Sequence, residues 1–422
     1  MNRKLIIVAI GVLVLAFAGA ATFLGWRAGI VKFGSSHTVT AEAPDLEQED
    51  TSPPRDGMTS VRKLFRYQDQ VAKGDLGALQ NQNEMIRTIA DEFRSFKRKD
   101  WAEPKNVQAM MAYVLSGGKT EVVEKFLSMQ LASQEQELLA KGVLSFALRR
   151  PKTAIKQIGD LETRALDRPL VSVVSLALAS LHASEDSQRS IALFDDARLH
   201  APSTAVEESA IRREVPLLLK AQDTTRADAL IARYIRVFGQ SPFGPRFYEE
   251  LAVAFSGLEE AKSVASMTAI NIALSDQPSE NTSGFFLGIS RAALIGGKIE
   301  LAKTAAEIVA KAAPEGTAST DKAKLYAAAA VAATEGADSV LPELIAVQDA
   351  NFDDEEKSIR AAAERIARSV VEAGSVKADA DPSPESSVDA AAETSSDGTS
   401  AVVQKAGVAL KEADRLISTV KE

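Results

Sequence analysis

The chain has 422 residues, no cysteine and a formal net charge of −9. Missing thiols exclude disulfides, thiolate metal sites and cysteine nucleophiles, and the acidic balance argues against a nucleic-acid partner, which needs a clustered basic surface. Hydrophobic residues make up 45 %, mainly Ala, Leu, Val and Ile, and aromatics only 5 %, which suits close helix packing better than a β-sandwich.

Arg3 and Lys4 precede an uncharged apolar stretch from Leu5 to Trp26. Within it, Ala18-Gly19-Ala20 fits the small-x-small pattern cut by signal peptidases. Residues 1–26 therefore read as a signal peptide or a signal anchor, because the stretch is also about long enough to span a bilayer. Either form places the chain in the periplasm, released or held at the inner membrane, with no other membrane contact expected. Residues 27–57 read as a flexible tether, Pro-, Ser- and acid-rich from about Ser35 to Gly57, as in EAPDLEQEDTSPPRDG.

From residue 58 to 374 the sequence reads as an α-helical repeat domain. Val61, Leu64, Phe65, Gln68, Val71 and Ala72 follow the spacing of one buried helical face, and Lys73-Gly74 stops it. Turn centres recur near Gly74, Gly117, Pro151, Asp186, Thr224, Gly257, Gly297 and Gly336. One helical hairpin cannot bury its own apolar face, whereas a stack of hairpins can. LSGGKTEVVEKF at Leu115–Phe126 matches LIGGKIELAKTA at Leu294–Ala305, so Gly117, Gly118, Gly296 and Gly297 are expected to form equivalent repeat turns. Ser190, Phe194, Ala197 and Pro202 resemble the second helix of a tetratricopeptide repeat, and Ala302, Ala306, Val309 and Pro314 keep the spacing. The fold expected is all-α: a superhelical stack of tetratricopeptide-like hairpins.

Residues 375–400 consist largely of Ala, Ser, Asp, Glu, Pro and Thr and are expected to form a disordered linker. Residues 401–422 place Val402, Ala406, Leu410, Leu416, Ile417 and Val420 on one face of an amphipathic helix. That helix can dock back on the stack, bind a partner or pair with itself.

No reaction centre is legible. Gly117–Thr120 ends like a phosphate-binding loop, but Tyr113 stands where the first glycine of that loop belongs. His37, His182 and His200 lack metal-ligand spacing. Glu208-Ser209 and Glu385-Ser386 lack the Gly-Leu-Met-Gln type segment of lytic transglycosylases. Acidic pairs such as Asp195-Asp196 read as solvated charges, and Arg94 with Lys97–Lys99 as a solvated helix end. No catalytic residue, metal or cofactor is expected. Scarce aromatics gather at Pro242–Pro245 and just beyond, so Phe243, Phe247 and Tyr248 are either partner-binding anchors or hairpin packing. Leu410, Leu416 and Ile417 are the corresponding candidates in the terminal helix.

GMTSVRKLFRYQDQVAKGDLGALQNQNEMIRTIADEFRSFKRKDWAEPKN, LSGGKTEVVEKFL and FGQSPFGPRF resemble the MotC family of motility proteins from rhizobial alphaproteobacteria. The resemblance covers the body of the chain and implies a periplasmic, non-enzymatic protein required for flagellar rotation. It also implies association with the periplasmic region of the MotB stator subunit; the oligomeric state is left open by the sequence, with a monomer the default expectation. Two alternatives from other classes are a general periplasmic assembly factor or chaperone, and a peptidoglycan-cleaving enzyme.

Overall fold

The computed structural model describes residues 52–161, 166, 168–334, 337–347 and 352–378. Ala18, Ala20, the tether up to residue 51, Gly336, the linker beyond residue 378, and Leu410, Leu416 and Ile417 lie outside the described residues. The chain divides into two compact units after Val371. Of the second, the described part is the end of one helix.

Among the described residues the first unit is all-α, without strands. Its helices are α1 (Gly57–Ala72), α2 (Ala78–Arg94), α3 (Arg98–Trp101), α4 (Pro104–Leu115), α5 (Glu121–Ser128), α6 (Gln134–Ala147), α7 (Pro151–Ile158), α8 (Arg168–His182) and α9 (Ser187–His200). They continue with α10 (Ala205–Lys220), α11 (Thr224–Phe238), α12 (Gly244–Ser256), α13 (Glu260–Ala273), α14 (Ser279–Ile295), α15 (Ile299–Ala312), α16 (Ala318–Val331), α17 (Ala337–Ala346) and α18 (Asp354–Ala378).

Local chemistry sets many of the boundaries. Asp56 caps α1 by accepting from the Met58 N–H at 3.0 Å, and Pro104 and Pro151 open helices where a missing N–H costs nothing. Asp353 and Glu356 form a reciprocal capping box at the start of α18. Helix α1 ends with Gly74 at φ 102, where the Asp75 and Gly74 N–H groups reach back to the Gln70 and Val71 carbonyls. The same six-to-one, five-to-two closure ends α4 at Gly117 and α14 at Gly297. Arg149 and Gln222 close α6 and α10 in the same way, with positive φ and no glycine.

The matched turns thus differ by one residue. Gly117 takes the left-handed conformation in the first copy. In the second, Gly296 is still the helix cap and Gly297 is left-handed. Gly118 is needed for space instead, since a Cβ there would lie 2.5 Å from the Tyr113 ring.

From α10 onward the helices form two layers. Helices α10, α12, α14 and α16 pack in series, α11, α13 and α15 pack beside them, and each hairpin closes on its neighbour. Small residues sit at the crossings: Ala302, Ala305 and Ala306 of α15 are fully buried, and Ser290 of α14 donates to the Ala302 carbonyl at 2.7 Å. Ser190, Phe194 and Ala197 play this part in α9, where Ser190 donates to the Ala179 carbonyl.

The first helices are arranged differently. Helix α4 is buried on nearly all sides, with Asn106, Val107 and Ala109–Val114 inside, and it packs against α1, α3, α5, α6 and α8. Phe93, Phe96, Trp101, Tyr113 and Phe126 build the surrounding aromatic core. Helix α1 also packs against α10, far along the chain. Asp69 accepts from the Ala205 N–H at 2.8 Å, and Ala72 belongs to the core cluster of the later helices. A purely neighbour-to-neighbour stack does not require this contact.

Gly74 lies against the loop between α11 and α12, so that a Cβ would stand 2.6 Å from the Gln240 carbonyl oxygen. At Gly297 a Cβ would meet nothing within 4 Å. Gly297→Ala is therefore expected to cost only the left-handed backbone penalty, about 1–2 kcal/mol. Gly74→Ala should cost clearly more in urea unfolding, and equal losses would contradict the contact between α1 and the α11–α12 loop.

Candidate functional site

Among the described residues helix α10 carries the largest group of buried carboxylates, and its sequence explains why they are inside. Glu207, Ile211, Glu214, Val215 and Leu218 share one helical face, so the carboxylates enter the core in phase with the apolar stripe. Glu207, Glu208 and Glu214 are all buried. Each is met by arginine. Arg233 of α11 grips Glu207 through Nε and Nη2 at 2.8 and 2.9 Å. Arg212 grips Glu208 at 2.7 and 3.1 Å. Arg198 of α9 and Arg226 of α11 reach Glu214 at 2.8 and 3.2 Å, and both also pair with Asp195.

Glu208 further accepts from Tyr234 Oη at 2.8 Å and Ser241 Oγ at 3.2 Å. It is 1 % exposed. A carboxylate held by one guanidinium and two hydroxyls accepts hydrogen bonds but has no route to a sugar, so Glu208-Ser209 does not form a glycosidase acid. Burial of Tyr234, reinforced by the Glu208 charge, pushes its phenol well above the usual range. Burial pushes Glu214 up to about 7, against the pull of Arg198. Asp228 on α11 faces no cation among the described residues, and burial lifts it to about 6, opposed only by the Ser266 hydroxyl.

The remaining sequence candidates have structural partners. Lys119 of the Gly117–Thr120 segment donates its N–H to Tyr113 Oη, and Tyr113 donates to the Ile86 carbonyl. The tyrosine fills the space that a phosphate would need. His182 bonds the Gly159 carbonyl and His200 the Asp196 carbonyl. Among the described residues no group of His, Asp and Glu could hold a metal ion. A recess between α13, α14 and α15, lined by Asn271, Ser275, Thr282, Phe286 and Ile308, holds no titratable side chain.

Phe247 and Tyr248 are packing residues, since both are buried. Phe247 lies 4.6 Å from the Tyr234 ring, and Tyr248 meets Phe285 edge-on at 5.4 Å. A partner would have to open the core to reach them. Phe243 is half-buried, with the Arg212 guanidinium 4.9 Å from its ring centre. These aromatics join α11, α12 and α14. The sequence reading missed the acids of α10, because Glu208 and Arg212 at i, i+4 look like a solvated surface pair. The available signal was the phase of Glu207 and Glu214 with Ile211 and Leu218.

Two outcomes follow. Glu208→Ala strands a buried arginine and should cost about 3–5 kcal/mol in chemical unfolding, whereas Glu307→Ala breaks the exposed pair with Lys311 and should cost no more than about 0.5 kcal/mol. Comparable losses would show that Glu208 is solvated. The pH dependence has a defined sign. Glu214 and Asp228 have folded pKa values raised above their unfolded ones. Between about pH 4 and 7 the folded state therefore holds more protons at these two groups, and their contribution to stability falls as pH rises. Asp228→Asn should flatten this slope by up to about 1 kcal/mol after solvent screening; an unchanged slope would contradict the burial of Asp228.

The family model described as chemotaxis protein MotC matches residues 16–422. The chain is 26 % identical over 315 residues to a protein named chemotaxis protein MotC from Rhizobium meliloti (strain 1021). That alignment covers 74 % of this chain and 71 % of the relative. No solved structure matches. With an all-α stack of hairpins and acids already bound to arginines, the chain belongs to the MotC family, which is a family of motility proteins and not of enzymes.

Proposed function

We propose that this chain is an exported, non-enzymatic motility protein that binds the periplasmic part of the MotB stator subunit. Binding would stabilise or orient that part so that the flagellum can rotate. The observation carrying this reading is family membership across residues 16–422. Its physical support is an all-α body of packed helices in which the acids of α10 are paired with arginines, which suits binding without turnover. The apolar stretch Leu5–Trp26 supports export, and the described helices include none long and apolar enough to cross a membrane.

A strain lacking the gene is expected to carry flagella yet fail to swim. Crosslinking in intact cells, followed by purification of the tagged full-length chain, is expected to recover MotB. Recovery of other envelope proteins without MotB, with envelope defects in the deletion strain, would overturn the proposal in favour of an assembly factor.

A further inference from the structure

Helix α1 presents a cationic face in an acidic protein. Arg62, Lys63, Arg66, Gln70 and Lys73 are exposed, while Val61, Leu64, Gln68, Val71 and Ala72 are buried. At 100° per residue, Arg62, Lys73, Arg66, Thr59, Gln70 and Lys63 share an arc of roughly 100°. No carboxylate interrupts it. The helix's single acid, Asp69, is turned onto the Ala205 N–H of α10. Asp56, at the helix start, is engaged by the Met58 N–H and the Thr59 hydroxyl. Among the described residues none of the four cations forms a salt bridge or a side-chain hydrogen bond, although the charge of Lys73 is felt at Asp69.

Arg198, Arg212, Arg226 and Arg233 pair with the buried acids of α10. Among the described residues the four cations of α1 are unpaired, as are the exposed Arg149, Arg150, Lys152 and Lys156 at α7. The end of the α1 stripe also carries an apolar residue. Leu76, three residues past Lys73, is 63 % exposed. Asp75, also exposed, stands between Lys73 and Leu76, with its carboxylate accepting from the Gly77 and Ala78 N–H groups. The cations of α1 followed by an exposed leucine match the interface of a lipid bilayer, where charge attracts the headgroups and the apolar side chain enters the acyl boundary. An acidic peptide would use the charges and leave Leu76 in water. We infer that the outer face of α1, with Leu76 at its tip, is a contact surface for anionic phospholipid. The sequence adds proximity, because α1 is the first described helix after the apolar stretch Leu5–Trp26, about thirty residues upstream. The inference does not depend on MotB being the partner.

The absence of cysteine makes the test direct. The full chain carrying Gln70→Cys takes one environment-sensitive fluorophore on this face, and a second version carries it at Glu315, which is 79 % exposed between α15 and α16. The apolar N-terminal stretch can attach the chain to any vesicle, but only a contact made by α1 moves the label at residue 70 selectively. The residue-70 label is expected to shift on phosphatidylglycerol-containing vesicles and not on pure phosphatidylcholine, while the label at 315 stays unchanged. High salt should weaken the response. The triple variant Arg62→Gln, Arg66→Gln, Lys73→Gln should need roughly 100-fold more anionic lipid for the same shift, about fivefold per charge removed. Leu76→Ser should reduce it further without altering the salt dependence. No shift on anionic vesicles, an equal shift at 315, or a shift with soluble polyglutamate but not with vesicles would each overturn the inference.

Discussion

Helix α10 holds three carboxylates out of water, and the packing of the middle of the chain follows from how they are neutralised. A buried carboxylate without a partner costs far more than a hydrogen bond returns. Glu214 therefore requires α9 and α11 together, through Arg198 and Arg226. Glu207 requires Arg233 of α11. Glu208 brings in Tyr234 and the Ser241 loop that leads into α12. These bonds have direction and length, so they fix the register of successive hairpins in a way that an alanine stripe alone does not. On the other side, the Ala205 N–H at the start of α10 receives Asp69 of α1. One helix thus ties the enclosed early helices to the two-layer stack that follows.

Much of this arrangement can be read from residues, and the failures have physical causes. Turns announced by glycine, proline or a capping aspartate are visible because those residues have few alternatives. Gly74, Gly117 and Gly297 all take the left-handed backbone. Arg149 and Gln222 take it as well, at positions where composition gives no warning. The copied LSGGK and LIGGK segments look superimposable, yet the left-handed residue is the first glycine in one and the second in the other, since α14 runs one residue further before it is capped. The buried acids of α10 were hidden by the habit of placing charge outside. Their phase with Ile211 and Leu218 carried the information, and only their arginines on other helices make the burial affordable. Long-range closure of α1 on α10 leaves no local trace at all.

The functional reading rests on family membership. Among the described residues, Glu207, Glu208 and Glu214 are held by guanidinium groups, His182 and His200 bond backbone carbonyls, and the Gly117–Thr120 turn packs on Tyr113. Aromatics that looked like docking anchors, Phe247 and Tyr248, hold hairpins together. What remains for a partner is the outer surface, and there the charges are unevenly distributed. Helices α1 and α7 show only cations among the charges on their exposed faces, while α12 and α15 mix both signs, as Arg246 with Glu250 and Lys311 with Glu307 illustrate.

The closure of α1 on α10 is the feature that separates this fold from a simple row of hairpins, and native-state hydrogen exchange measures it directly. If the closure holds, the amides of α1 share the slow exchange of α4 and α10, although α1 stands first among the described helices. Exchange of α1 as fast as a fraying terminal helix, with α10 still protected, would contradict it.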